Sequence, residues 1–534
     1  MKKSIIYGAL IAAAMVQTGC TKDFDAINTN PREVTASQFN PNYLLSQAQW
    51  ELSNTGYSQL LFESMWPQVL ASTFDYYGNG DKYTPSTNTI NYQNNLWDEE
   101  YRTGSLVYEM QNLVRENAAQ SNLLHIGTIM KVMIMQRITD VYGDVPYSEA
   151  FQAKTGLVQP KYDTQQEIYT SMLTELETAI NALDAAKATP TADIFYNGNI
   201  AQWKKLGYSL MLKVAMRLTK VDAATAQSWA EKAAAGGTFT AVADNIRVRG
   251  DNATGFGNAT VGALRTASDY LYVKWSKTFM DYLKSTVDPR VTVISEVPQP
   301  GLAANGNQDL AGDNSYARQL GLPNGYELGN GARGIETHPQ YPGPSGSGSD
   351  IAPLGNYSRP RTSLYLDRSG VNFLYTYAES EFLLAEAKAR GWNVGATTAA
   401  AHYANGVTAA MQSLGQFNAN GNIDNAAIAA YVALHPLNTS SLNTQLQDIN
   451  EQYWVVTGST FNFIETWINW KRSGYPVLTP IVFPNNFSAG TIPRRIRYHS
   501  NEMAQNPANY AAAVARIPDN AGDVFNSRVW WDRP

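Results

Sequence analysis

The chain has 534 residues, 44% of them hydrophobic and 16% charged, which supplies a large core and excludes a disordered or fibrous protein. A formal charge of −6, without any dense Lys/Arg run, excludes the basic footprint of a nucleic-acid binder. The single cysteine, Cys20, excludes both an intrachain disulfide framework and a Cys-based zinc site.

Lys2 and Lys3 precede an apolar run over 5–16 that is too short to cross a bilayer and ends in small and polar residues, the pattern of an export signal over residues 1–19. Val16-Gln17-Thr18-Gly19-Cys20 resembles a bacterial lipobox, with Gln17 where an aliphatic residue is usual, so Cys20 is the expected site of lipidation. Residues 20–39 then form the lipid anchor and tether. Within them Thr21-Lys22-Asp23-Phe24-Asp25 resembles an acidic tag that sends lipoproteins to the outer face of the outer membrane. No later segment approaches eighteen consecutive apolar residues, so no spanning helix is expected.

From about 40 to 235 the periodicity is mainly helical, interrupted by a polar loop over 71–95 that carries Phe74, Tyr76, Tyr77, Tyr83 and Tyr92. The stretch 121–142 is apolar almost all round, which predicts a central helix stopped by Gly143. Asp163 with Gln166 has the spacing of a capping box ahead of Ile168, Met172, Leu176, Ile180 and Leu183. A second stripe, Trp203 to Val221, predicts a helix over 200–221, and its Trp-x-x-Leu-Gly opening matches a tetratricopeptide helix. Segments 236–262 and 292–360 are rich in Gly, Asn, Pro and Ser and read as loops, long enough to be functional. Alanine-rich helices are predicted over 373–390 and 399–414, with small residues suited to close helix pairs. The few strands are expected in the loop regions. Residues 40–534 thus read as one helical domain with insertions near 71–95, 236–262 and 292–360.

Catalytic signatures are missing from the sequence: it has no HExxH, no GxSxG and no P-loop motif. The glycines at 329, 331 and 334 spell GxGxxG without a strand before them or a helix after them. His125, His338, His402, His435 and His499 form no i, i+3 or i+4 pair, so no metal or catalytic site is expected from them. Asp98-Glu99-Glu100 is the densest acidic cluster. Adjacent acids on a helix point in different directions, so it reads as the first turn of a helix following Trp97 rather than as a glycosidase pair. Asp75, Asn79 and Asp81 could supply oxygens to a structural calcium, although the EF-hand register is missing. No other cofactor is expected.

What the chain has in excess is aromatic: 31 Tyr and 12 Trp. Aromatic faces stack on sugar rings while amides and carboxylates bond the hydroxyls. Aromatics on helical stripes, Trp203 and Trp467 among them, are core by default. Those in polar loops are the binding candidates: Tyr76, Tyr77 and Tyr83, then Tyr326, Tyr341 and Tyr357.

Motifs spread over the whole chain resemble the SusD-like (SusD/RagB) outer-membrane lipoproteins. They are Gly19-Cys20, Ile27-Asn28-Thr29-Asn30-Pro31, the run from Tyr142 through Gly143-Asp144-Val145-Pro146-Tyr147 to Ala150, Trp203-Lys204-Lys205-Leu206 and Asp288-Pro289-Arg290. Phe382-Leu383-Leu384-Ala385-Glu386-Ala387-Lys388-Ala389-Arg390-Gly391-Trp392, Trp470-Lys471-Arg472-Ser473-Gly474-Tyr475-Pro476 and Ile492-Pro493-Arg494-Arg495-Ile496-Arg497-Tyr498 follow in order. The resemblance implies a mostly α-helical fold of four tetratricopeptide-like helix pairs with irregular insertions and few short strands. It also implies a non-catalytic, surface-exposed lipoprotein for polysaccharide utilisation, a lid on a SusC-like TonB-dependent barrel that imports the captured glycan. Within that family, position alone offers Tyr76, Tyr77, Asn79, Asp81 and Tyr83, with Tyr341 and Tyr357, as ligand-binding residues. Capture of peptides for the same kind of transporter, a secreted glycosidase and a ligand-free helical scaffold are the competing readings.

Overall fold

A computed structural model describes residues 39–74, 80–266, 271–299, 310–329, 331–344, 354–488 and 490–534. Its longer helices are α1 (Asn42–Ser53), α2 (Thr87–Val114), α3 (Ser121–Tyr142), α4 (Gln165–Ala182), α5 (Ile200–Arg217), α6 (Ala223–Gly236), α7 (Lys277–Ser285), α8 (Tyr377–Ala389), α9 (Ala399–Leu414), α10 (Asn425–Leu434), α11 (Leu442–Ser459), α12 (Phe463–Ser473) and α13 (Pro507–Ala515). Helix α2 packs on α3, α4 on α5, α8 on α9 and α11 on α12, the helix-pair arrangement that the resemblance implies. Short strands β1 (Leu70–Ser72), β2 (Ile246–Arg249), β3 (Val273–Trp275), β4 (Ser295–Glu296), β5 (Arg359–Pro360) and β6 (Val371–Tyr375) pair antiparallel as β1–β3, β2–β6 and β4–β5.

Helix α3 is central, as its all-round apolar sequence predicts: Ile126, Ile129, Met130, Ile134 and Ile138 are fully buried. Gly143 ends it at φ 88, donating its N–H to the Thr139 carbonyl. The α4–α5 contact is close because Gly207 faces Ile180, and a Cβ at Gly207 would lie 2.5 Å from that side chain. Gly406 does the same for α8 and α9, where a Cβ would meet the Phe382 ring at 2.6 Å.

Several sequence expectations are corrected. The box that opens α4 is Thr164 with Glu167, while Asp163 accepts from the Tyr147 and Ser148 amides instead. The α5 helix stops at Arg217 and passes into a 3₁₀ turn over Leu218–Lys220. Phe373 lies in β6, because the β-rich Val371–Tyr375 run pairs with β2, and α8 starts only after the Thr376 cap. The 236–262 segment holds β2 and a short helix, Ala259–Leu264. The loop near 71–95 gives way to α2 at Thr87, which puts Asp98, Glu99 and Glu100 inside the helix rather than in its first turn. There Glu100 pairs with Arg137 at 2.5 Å, Glu99 accepts from Ser58 at 2.7 Å and Asp98 lies 3.4 Å from His499, so the three carboxylates do diverge.

The motifs of the resemblance meet one another in the interior. Glu386 receives Arg472 through two bonds of 2.8 and 2.7 Å, and Arg390 as well. Arg290 is fully buried against Asp288, and Arg495 bonds both the Tyr142 carbonyl and Asp523. Arg494 pairs with Asp532. Such charges are tolerated in the core because each arrives with its counter-charge and hydrogen bonds.

Glu63 is the exception. It is fully buried, and among the described residues no other one donates to either carboxylate oxygen. Burial pushes its carboxyl from the usual 4.5 up to about 8, with Lys471 and Arg137 pulling the other way. The native state therefore holds the proton more tightly than the unfolded chain, and this group costs stability as pH rises from about 4.5 to 8. Glu63→Gln carries no such penalty. Its stability relative to the unsubstituted protein is expected to be about 3–4 kcal/mol more favourable at pH 8 than at pH 5. Urea unfolding at the two pH values checks this, and an equal difference at both would refute the assignment.

Candidate functional site

Strands β1 and β3 carry the base of a loop-built surface. Their register, Leu70 opposite Trp275 and Ser72 opposite Val273, brings the segments after Ser72 and before Val273 to the same edge. Phe74 and Tyr272, half-buried on those two segments, stack with centroids 5.2 Å apart and planes 12° apart. Beneath the neighbouring loops Ala71, Leu322, Ile335, Leu354 and Tyr357 form a small apolar cluster, with Tyr272, Tyr326 and Tyr341 packed against its outer side.

Asp81 knots the two halves of this surface together. One carboxylate oxygen accepts from the Gly325 amide at 2.5 Å and the other from the Asn324 side chain, whose oxygen in turn takes the Ser276 hydroxyl. Burial pushes the Asp81 carboxyl up to about 7, against the pull of those donors and of Lys82. Next to it Lys82 lies 3.5 Å from Glu327, a second tie between the segment after 80 and the segment after 320.

A third loop closes the rim. Residues 477–488 enter through three contacts: Gln68 donates to the Thr479 carbonyl at 2.6 Å, Arg333 to the Val482 carbonyl at 2.5 Å and the Phe487 amide to the Tyr83 carbonyl at 2.7 Å. Lys82 sits 5.2 Å from the centre of the Phe483 ring, and Val482 is 64% exposed at the edge. Tyr326 is flanked by the His338 ring, edge to face at 5.1 Å, and by the Arg333 guanidinium at 5.8 Å.

The sequence-selected residues divide by depth. Tyr76, Tyr77 and Asn79, with Asp75, lie outside the described residues. Tyr83 is fully buried at φ 58 and Tyr357 is 1% exposed, so neither presents a ring face to solvent in this structure. Tyr341 is half-buried and packs against the cluster that contains Tyr357. Asp81 has both oxygens engaged within the chain. Among the described residues no group of three His, Cys, Asp or Glu side chains could hold a metal ion. Tyr326, one of the loop tyrosines selected from the sequence, is half-buried against this cluster, whereas the sequence reading did not assign Phe74, Tyr272 or the 477–488 loop to the site. A usable signal existed for the last: Pro480-Ile481-Val482-Phe483-Pro484 sets an apolar run between two prolines in a segment without helical period. The described part of this surface offers flat apolar faces with the Lys82 and Arg333 cations beside them.

A family model described as SusD-like, starch-binding and associating with the outer membrane matches residues 31–499. A solved chitin-binding protein is 31% identical with a TM-score of 0.76, the alignment covering 93% of this chain and 100% of that one. A Bacteroidetes SusD-like protein aligns at 23% identity and TM-score 0.77 over 93% of this chain and all of its own. A chitin-binding SusD homologue from Flavobacterium johnsoniae aligns at 24% identity and TM-score 0.68 over 92% of this chain and 99% of its own. No curated protein sequence matches.

Proposed function

The chain belongs to the SusD-like family, and from that premise we propose that it is a non-catalytic outer-membrane lipoprotein that captures a glycan on the loop surface and acts as lid for a SusC-like TonB-dependent barrel. The observation that carries the capture step is the gathering of Phe74, Tyr272, Tyr326 and Tyr341 on polar loops over one small apolar cluster. Half-buried rings held in place stack on sugar rings at little cost in conformational entropy, and the amides and Arg333 at the rim bond hydroxyls or an acetamido group. Chitin-type chains of N-acetylglucosamine are the first ligand class to test, since the relative at 31% identity is a chitin-binding protein. Tyr76, Tyr77 and Asn79, between Phe74 and Gly80 in the sequence, belong to the same proposal as candidates.

Residues 1–19 serve as the export signal, 20–39 as the lipidated tether and 40–534 as one binding domain. No helix among the described residues is long and apolar enough to cross a membrane, so Cys20 carries the attachment in this proposal. Cys20→Ser is expected to leave the fold intact and to move the protein from the membrane to the soluble fraction. Fractionation with immunodetection reads this, and undiminished membrane retention would count against the anchor. Lid closure needs only that the bound glycan favour the closed state of the barrel complex.

The capture proposal is tested with the detergent-extracted full chain in native gels containing glycol chitin, starch, xylan or mucin. Retarded migration in one polysaccharide, without release of reducing ends, supports it. Release of reducing ends would favour a glycosidase, and free migration in all four gels would favour peptide capture.

A further inference from the structure

A second pocket lies on the helical body, away from the loops just described. It is built from α4, the start of α6 and the C-terminal segment, and encloses about 210 Å³. Its walls include two half-buried indoles, Trp229 and Trp530, over a floor of buried Tyr169, Leu173 and Leu218. The indole N–H groups of Trp229 and Trp530 make no hydrogen bond with any described residue. Among the buried indoles those of Trp203, Trp454, Trp467 and Trp531 have protein acceptors, and that of Trp66 has none among the described residues.

The polar groups around these rings have open valences. Asp222 uses Oδ1 to cap α6 through the Thr225 amide at 3.0 Å, leaving Oδ2 without a partner among the described residues. Thr170 and Thr174 donate their hydroxyls back to helix carbonyls at 3.0 and 2.9 Å, so each keeps acceptor lone pairs facing outward. The exposed Gln166 amide has no partner within the described chain. The site is also rigid. Trp531 is fully buried with its indole nitrogen 2.9 Å from Asp140, and Arg494 and Arg528 clamp Asp532, which fixes Trp530 from the following residues.

We propose that this pocket is a second glycan-binding site that takes one pyranose ring of a chain, independent of the loop surface. An indole face against the apolar side of the ring, with a carboxylate oxygen, an amide and two hydroxyl acceptors around its edge, is the chemistry that separates a sugar from a purely apolar ligand. A volume of about 210 Å³ is below that of a pocket for an extended ligand and fits a single ring. Two weak sites on one molecule would raise its retention on a long polysaccharide far above that on a short oligosaccharide, by effective concentration. The ligand class rests on the glycan reading of the loop surface.

Calorimetric titration of the full chain in detergent with chitohexaose and with maltohexaose separates the two sites. The Tyr326→Ala/Tyr341→Ala protein should retain a residual affinity for one of these sugars, and adding Thr174→Arg should lower that residue at least tenfold. Thr174 is exposed, so the arginine fills the pocket without removing packed atoms. Trp530→Ala is the companion variant, expected to give the same loss. Thr174→Arg alone should leave hexasaccharide binding at the loops unchanged and reduce retardation by the matching polysaccharide. Loop-variant protein that binds neither sugar, or whose residual binding survives Thr174→Arg, overturns the second site while leaving the loop reading in place. An unsubstituted protein that binds neither hexasaccharide and is retarded by none of the four polysaccharides overturns both.

Discussion

Alanine at both Tyr326 and Tyr341 is expected to weaken glycan binding by about 2–4 kcal/mol, roughly 30- to 1,000-fold in Kd, with little change in unfolding temperature. Each ring sits half-buried on the outer side of the Leu322, Ile335, Leu354 and Tyr357 cluster, so truncation removes a stacking face while the buried layer beneath persists. The positions are preorganised. The Tyr341 amide bonds the His338 carbonyl at 2.8 Å, and His338 packs edge to face with Tyr326, so little ordering remains to be done when a ligand arrives. Titration with the glycan class found in the gels gives the number. Unchanged affinity in a folded double variant would remove these rings from the site.

The helical frame was legible because its signals are local. The all-apolar 121–142 run needs a central position, and Gly143 needs a left-handed exit; neither requires knowledge of a partner. The alanine-rich 399–414 segment was likewise readable, since Thr398 caps it and its apolar face repeats every turn. The failures come from non-local terms. Val371-Asn372-Phe373-Leu374-Tyr375 has helical neighbours, and only pairing with Ile246–Arg249 makes it a strand. Charged motif residues were visible one by one, but which carboxylate meets which guanidinium is decided by packing between segments far apart, as for Glu386 with Arg472. The candidate site shows the same division. Polar loops bearing tyrosines could be marked as surfaces from composition, yet whether a ring ends above or below the cluster is a matter of depth. Tyr341 and Tyr357, sixteen positions apart in one irregular stretch, fall on opposite sides of that line. The joining of two loops by Asp81 and Asn324 spans 243 positions and has no sequence periodicity to betray it.

The largest stability effect is expected at Arg217, where substitution by methionine should cost about 3–5 kcal/mol at pH 7. Arg217 has no exposed surface. Its guanidinium bonds both Glu465 oxygens at 2.7 and 2.8 Å and reaches Asp140 at 3.2 Å, tying α5 to α12 and α3. Burial alone would raise the Glu465 carboxyl, but Arg217 and Lys213 together hold it at about 2. The native carboxylate thus binds its proton less tightly than the unfolded chain. Its stabilising contribution is present above about 4.5 and is lost as pH falls toward 2. Methionine keeps most of the volume and removes the charge, leaving Asp140 and Glu465 buried with fewer partners. The deficit should therefore be greatest near neutrality and shrink as pH falls, first as Glu465 protonates in the variant and then, between about 4.5 and 2, as the unsubstituted protein loses the contribution of its ionised Glu465. Restoring charge balance with Glu465→Gln in the Arg217→Met background should recover part of the loss at pH 7 and almost none at pH 3, because the cost lies in the orphaned charge rather than in the lost contacts. Denaturant unfolding across that pH range decides it. A single variant within about 1 kcal/mol of the unsubstituted protein at pH 7 would mean that water reaches this network and screens it.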